Sequence, residues 1–141
     1  MEGAVRPLRI MVVDDESLIV MALHDQLEYL GHQVVATVDT GEEAVALASQ
    51  LQPDLVLMDV HMSGMDGLDA AAAINQLRPT PVIILTGYSD KTMMDVAREC
   101  GVVSYMVKPI DMEDLRHAVD TGFHVFEMEQ QATRGEPPPG Q

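Results

Sequence analysis

A chain of 141 residues, 47% hydrophobic and 22% charged, suits one globular domain with a buried core. No apolar run approaches the ~18 residues of a membrane span, and the opening MEGAVRPLRI has no secretory core or cleavage site, so a cytoplasmic protein without membrane contact is expected. The net charge of -15, from 23 acids against 8 bases, argues against direct nucleic-acid binding, which needs clustered Lys and Arg.

Two residue periods alternate along the chain. After an N-terminal extension over 1–7, the apolar run Arg9 to Val13 reads as a strand buried on both faces. It stops at Asp14 and Asp15. Ile19, Leu23, Leu27 and Leu30 recur at helical spacing, and Gly31 ends that helix. Val34 to Val38 is a second β-branched run. The helix after Thr40 and Gly41 carries Ala44, Leu47, Ala48 and Leu51 on one face and ends at Pro53. Leu55 to Met58 is a third strand, ending at Asp59.

The loop HMSGMDG leads to a helix with Ala70, Ile74 and Leu77 facing inward. Val82 to Leu85 is a fourth strand, ending at Thr86. Ser89 and Asp90 are the expected caps of a helix whose inner stripe is Met93, Val96, Ala97 and Cys100. As the single cysteine, Cys100 excludes an intrachain disulfide and reads as a small buried hydrophobe. Val102 to Val107 is a fifth strand, ending at Lys108 and Pro109. The last helix, from Met112 to about Gln131, shows Leu115, Val119, Gly122 and Phe126 on its inner face. A Pro/Gly tail over 132–141 is expected to be disordered.

Strands alternating with helices imply a parallel five-stranded sheet covered on both faces, a three-layer α/β fold. No glycine-rich phosphate loop follows the first strand, which speaks against dinucleotide and P-loop folds. By analogy with flavodoxin-like folds the strand order is 2-1-3-4-5, with ligands bound between strands 1 and 3.

All strands of a parallel sheet point one way, so their last residues gather at one edge. Here these are Asp14 and Asp15, then Asp59, Thr86 and Lys108. Singly, an Asp after a strand is most often a turn or cap, a Thr there reflects strand propensity, and a Lys before Pro is surface. Together they are a site. Three crowded carboxylates repel one another, and a hard divalent cation such as Mg²⁺ relieves the repulsion. A phosphoryl group on Asp59 would meet that cation, the Lys108 ammonium and the Thr86 hydroxyl. A carboxylate is an established nucleophile for such a transfer.

The segments MVVDDES, DLVLMDVHMSGMDG, VIILTGYSD and SYMVKP resemble the receiver domains of response regulators. The resemblance runs from about Leu8 to Glu127 within a domain of 8–131. It implies a CheY-like switch in a two-component phosphorelay, not a dedicated enzyme. Asp59 would be the phospho-acceptor and Asp14, Asp15, Asp59 and the backbone carbonyl of His61 the Mg²⁺ site. Thr86 and Lys108 would contact the phosphoryl group, Thr86 and Tyr105 would form the switch, and the Lys108–Pro109 peptide would be cis. The implied partner is a histidine kinase or histidine phosphotransfer protein.

Ser63 departs from the proline usual in the loop after the acceptor and should loosen it. His61 stands where the family is thought to tune phosphoryl lifetime, and Gly87 leaves the site open. Two other readings are compatible with the residues. One is a Mg²⁺-dependent aspartyl phosphatase, although that class places a DxD pair after the first strand rather than adjacent Asp14 and Asp15. The other is a degenerate receiver that binds partners without phosphorylation.

DAAAAI, LTGYSDK and VSYMVKPIDMEDL are also similar to receivers of RNA-binding antiterminator regulators. A stand-alone receiver and a fragment of a longer regulator both fit this length. The face of helix 4, strand 5 and helix 5 is the family's usual signalling and dimer surface. Met94, Tyr105 and Met106 are its expected exposed apolar contacts, with a phosphorylation-linked homodimer as one outcome.

Overall fold

The sheet is built from runs in which β-branched and aliphatic side chains succeed one another without a charge. These are β1 (Arg9–Val13), β2 (Gln33–Val38), β3 (Leu55–Asp59), β4 (Val82–Thr86) and β5 (Val102–Val107). In this computed structural model, which describes residues 6–62, 64–87 and 91–135, all strand pairs are parallel and the order is β2-β1-β3-β4-β5. The expected 2-1-3-4-5 order is therefore observed. The helices between and after them are α1 (Ser17–Tyr29), α2 (Gly41–Leu51), α3 (Gly67–Leu77), α4 (Lys91–Glu99) and α5 (Met112–Arg134).

Successive strand residues point to opposite faces, so two cores form. Met11, Val13, Val56, Met58, Val82 and Ile84 meet Ala44, Ala48, Ala70, Ile74 and Ala97 from α2, α3 and α4. Ile10, Val12, Leu55, Leu57, Ile83 and Leu85 meet Leu23 and Leu27 of α1 and Leu115, Val119 and Phe123 of α5. The helix starts are fixed locally. The side chains of Thr40, Asp66 and Asp111 accept hydrogen bonds from the backbone N–H of Glu43, Asp69 and Asp114, capping α2, α3 and α5.

Several inner positions differ from the sequence pattern. Leu77 lies on the last turn of α3, beyond the sheet, and is exposed. Val96 is exposed because the short α4 turns Ala97 to the sheet instead. Met106, expected at the surface, is buried with Ala118 and Val119. The reason is a register shift: Val82 pairs with Val102 but Ile83 with Ser104. The extra residue reverses the face of everything after it, turning Met106 inward while Tyr105 stays 36% exposed. Helix α5 continues to Arg134, three residues past its expected end, and stops at Gly135 with φ 77°. The expected caps Ser89 and Asp90, the loop residue Ser63, residues 1–5 of the extension and 136–141 of the tail lie outside the described residues.

Candidate functional site

Each polar side chain at the C-terminal edge is held by the strand that delivers it. Backbone bonds lock the ends together: Asp14 N–H donates to Val38 O at 3.0 Å, Val60 N–H to Leu85 O at 3.1 Å and Lys108 N–H to Thr86 O at 2.8 Å. Asp14 and Asp59 are almost fully buried and Asp15 is exposed. One carboxylate oxygen from each of the three lies within 4.8 Å of the other two. Thr86 is wholly buried between them and β5. The Lys108–Pro109 peptide is cis.

Lys108 reaches back across this edge. Its Nζ lies 3.1 Å from Asp14 Oδ2, 3.1 Å from Glu16 Oε1 and 3.6 Å from Asp59 Oδ1. Burial works to lower its pKa, but the close approach of Asp14, the hydrogen bond to Glu16 and the charges of Asp14 and Asp59 outweigh that, and the net shift is upward. Asp59 is raised above the ordinary carboxylate value, first by burial and then by the charge of Asp14. Lys108, the His61 N–H at 3.3 Å from Asp59 Oδ1, and a smaller opposing push from Asp15 complete the balance. Asp14, Glu16 and Asp59 thus surround one ammonium, with Asp15 beside Asp14 and Asp59. Hard oxygen donors at this spacing suit a Mg²⁺ ion, which takes one or two carboxylates and keeps several waters.

Two contributors escaped the sequence reading. Glu16 follows the Asp pair at the N-cap of α1, and only the fold brings it to Lys108, 92 residues away. Gly67 opens α3 against the end of β3, where a Cβ would lie 2.4 Å from Asp59 O and 2.9 Å from Val60 Cα. Its N–H donates to Val60 O at 3.0 Å. A glycine after Asp66 in the loop motif was visible, but the close approach was not. At Gly87 a Cβ would meet no atom of the described residues within 4 Å. A cleft of about 500 Å³ lined by Asp15, Val20, Met21 and Asp39 adjoins the acids without including Asp59 or Lys108.

Tyr105 lies on β5, three residues before Lys108, on the α4 side of that strand. Cys100 is half-buried, and burial together with Asp69, Glu99 and Asp66 pushes its thiol pKa up. Among the described residues no helix is long and apolar enough to cross a membrane.

The chain is similar to known proteins in sequence and fold. The model of the response regulator receiver domain matches residues 10–120. The transcriptional regulatory protein PdtaR of Mycobacterium tuberculosis is 39% identical over 120 residues, which cover 85% of this chain and 58% of that protein. A protein-glutamate methylesterase/protein-glutamine glutaminase of Archaeoglobus fulgidus is 38% identical over 104 residues, 72% of this chain but 30% of that protein. Among solved structures, the signal receiver domain of a modulated diguanylate cyclase from Desulfovibrio desulfuricans superposes with a TM-score of 0.80. It is 30% identical, and the match covers 88% of this chain and 99% of that one. The CheX-CheY-BeF3-Mg+2 complex from Borrelia burgdorferi superposes with a TM-score of 0.77 at 25% identity, covering 80% and 87%.

Proposed function

The chain belongs to the response regulator receiver family, and from that membership we propose that Asp59 accepts a phosphoryl group and that the domain works as a phosphorylation-driven switch. The observation that carries this reading is the buried Asp59 carboxylate flanked by Asp14 and Asp15 and approached by Lys108 at 3.6 Å.

In the proposed step an Asp59 carboxylate oxygen bonds to phosphorus while the bond from phosphorus to the donor breaks. With a phosphohistidine donor, on a histidine kinase or a phosphotransfer protein, the imidazole nitrogen leaves and takes a proton. Water later attacks the acyl phosphate, returning the Asp59 carboxylate and inorganic phosphate. Asp14, Asp15, Asp59 and the His61 carbonyl would hold Mg²⁺, which when bound supplies positive charge to the phosphoryl oxygens. Lys108 neutralises a further oxygen and the Thr86 hydroxyl donates to another. The movement of Thr86 would draw Tyr105 inward, changing the surface of α4, β5 and α5.

This reading needs no substrate pocket. The catalysis involved is the domain's own phosphorylation and dephosphorylation, which separates it from a phosphatase acting on outside esters. The chain spans just over half of PdtaR, and similarity to that transcriptional regulatory protein supports a regulatory output.

Incubation with acetyl phosphate and Mg²⁺, followed by intact-mass measurement, tests the proposal. A gain of one phosphoryl group in the wild type, absent in Asp59→Ala, is expected. No gain would favour a phosphorylation-independent binding module, and turnover of unrelated phosphoesters would favour a phosphatase. Elution volume with and without beryllofluoride tests the linked dimer, which an unchanged volume across concentrations would exclude.

A further inference from the structure

The N-cap of α1 behaves unlike the other described caps. Thr40, Asp66 and Asp111 each spend their side chain on an N–H of their own helix. Glu16, the N-cap of α1, makes no side-chain cap bond. Glutamate is a poor cap, one methylene too long for the N-cap bond that Asp makes. Its carboxylate extends across the sheet edge instead and accepts a hydrogen bond from Lys108 Nζ at 3.1 Å. Its backbone is tied to the site as well, since Glu16 N–H donates to Asp14 Oδ1 at 2.9 Å.

The ammonium is therefore drawn to one side. Glu16 and Asp14 hold it at 3.1 Å each, while Asp59 stands at 3.6 Å. Asp14 is buried, so its pairing with Lys108 is shielded from water; Glu16 is 60% exposed at the side chain, so its hold on Lys108 is the weaker and the one that can be exchanged.

We propose that Glu16 is a positioning residue that holds Lys108 away from Asp59 in the unphosphorylated domain, so that the ammonium exchanges the Glu16 carboxylate for a phosphoryl oxygen as the group arrives. This rests on Asp59 being the acceptor and deepens that reading by naming a restraint on the same site. Glu16 thereby slows acceptance and weakens retention of the group, because the bond to it must be given up.

Glu16→Gln, Glu16→Asp and Asp39→Asn distinguish restraint from bulk charge. Asp39 is an exposed acid beside Asp15 in the neighbouring cleft and makes no ion pair with Lys108. Glu16→Gln removes the charge and the strong acceptor, Glu16→Asp keeps the charge but shortens the reach, and Asp39→Asn removes a nearby charge alone. Three readouts apply: the rate of phosphoryl gain from acetyl phosphate, the affinity for beryllofluoride with Mg²⁺ by calorimetry, and the Lys108 ammonium resonance by NMR without donor.

Both Glu16 variants are expected to raise rate and affinity about three- to fivefold, the scale of one half-exposed ion pair, and to shift the Lys108 resonance. Asp39→Asn should stay near wild type. Equal rates and an unmoved resonance in Glu16→Gln would overturn the restraint, as would Glu16→Asp matching wild type or Asp39→Asn matching Glu16→Gln. If wild type and all variants take up neither phosphoryl group nor beryllofluoride, the acceptor reading fails and the restraint with it.

Discussion

The two edges of the sheet solve the same problem in opposite ways. At the N-terminal edge nearly every polar group finds a partner within the chain. Asp54 Oδ2 accepts from Arg9 N–H at 2.8 Å and faces Arg6 at 3.5 Å. The Arg9 guanidinium donates to Gln52 O, and that of Arg78 to Pro53 O. His32 Nδ1 accepts from Leu8 N–H at 3.0 Å, and Asn75 Oδ1 from Thr80 N–H at 2.9 Å. At the C-terminal edge three carboxylates share one lysine with a fourth, Asp15, beside two of them, and Asp14 Oδ2 accepts no well-directed hydrogen bond although Lys108 Nζ lies nearby. One edge closes the fold. The other gathers negative charge that an added divalent cation could relieve.

The comparison can be broken most severely at Gly67. Gly67→Ala places a methyl 2.4 Å from Asp59 O, so overpacking should cost about 2–3 kcal/mol in urea denaturation and displace the end of β3. Undiminished stability would show that α3 can withdraw freely from the site. Asp54→Ala should cost about 2 kcal/mol by stranding the Arg9 N–H, while leaving phosphoryl gain from acetyl phosphate unchanged. A loss of acceptance there would mean that the two edges are coupled.

Asp59→Asn should act in the opposite direction. With Mg²⁺ chelated, it removes a desolvated charge from among like charges, so stability should rise by about 1 kcal/mol. The sign with pH follows from the raised pKa of Asp59. The folded state binds the proton more tightly than the unfolded chain, so the wild type's disadvantage grows as pH rises through the folded pKa and disappears below the unfolded one. Denaturation midpoints of both proteins across acid to neutral pH check this, and a constant gap would refute it.

His32 gives the smallest effect. Burial pulls its pKa below the ordinary 6.5, only partly offset by Asp120. Its contribution is present above 6.5 and is lost as pH falls from 6.5 through the lowered folded value, because the unfolded chain takes up the proton first. His32→Asn should flatten that limb of the stability curve.

Much of this was legible without coordinates. The residues at the strand ends, Asp14, Asp15, Asp59, Thr86 and Lys108, stand out because they close four of the five apolar runs with polar residues able to bind or carry charge, which needs a common cause. Five βα alternations and a parallel sheet follow from residue periods alone, since the backbone repeats every 2.0 residues in a strand and 3.6 in a helix. Helix faces were less legible where an element is short or overhangs its support, as at Leu77 and Val96.

What the amino-acid order determined by itself was local: the elements, their direction, and which residues stand at their ends. What the tertiary structure alone decided was pairwise and distant. It brought Glu16 to Lys108 and pressed Gly67 against Asp59. It also used one irregular pairing between β4 and β5 to bury Met106 and leave Tyr105 outward. Periodicity carries no information about partners across the sheet, because register and close approach are set by how packed elements fit together in space.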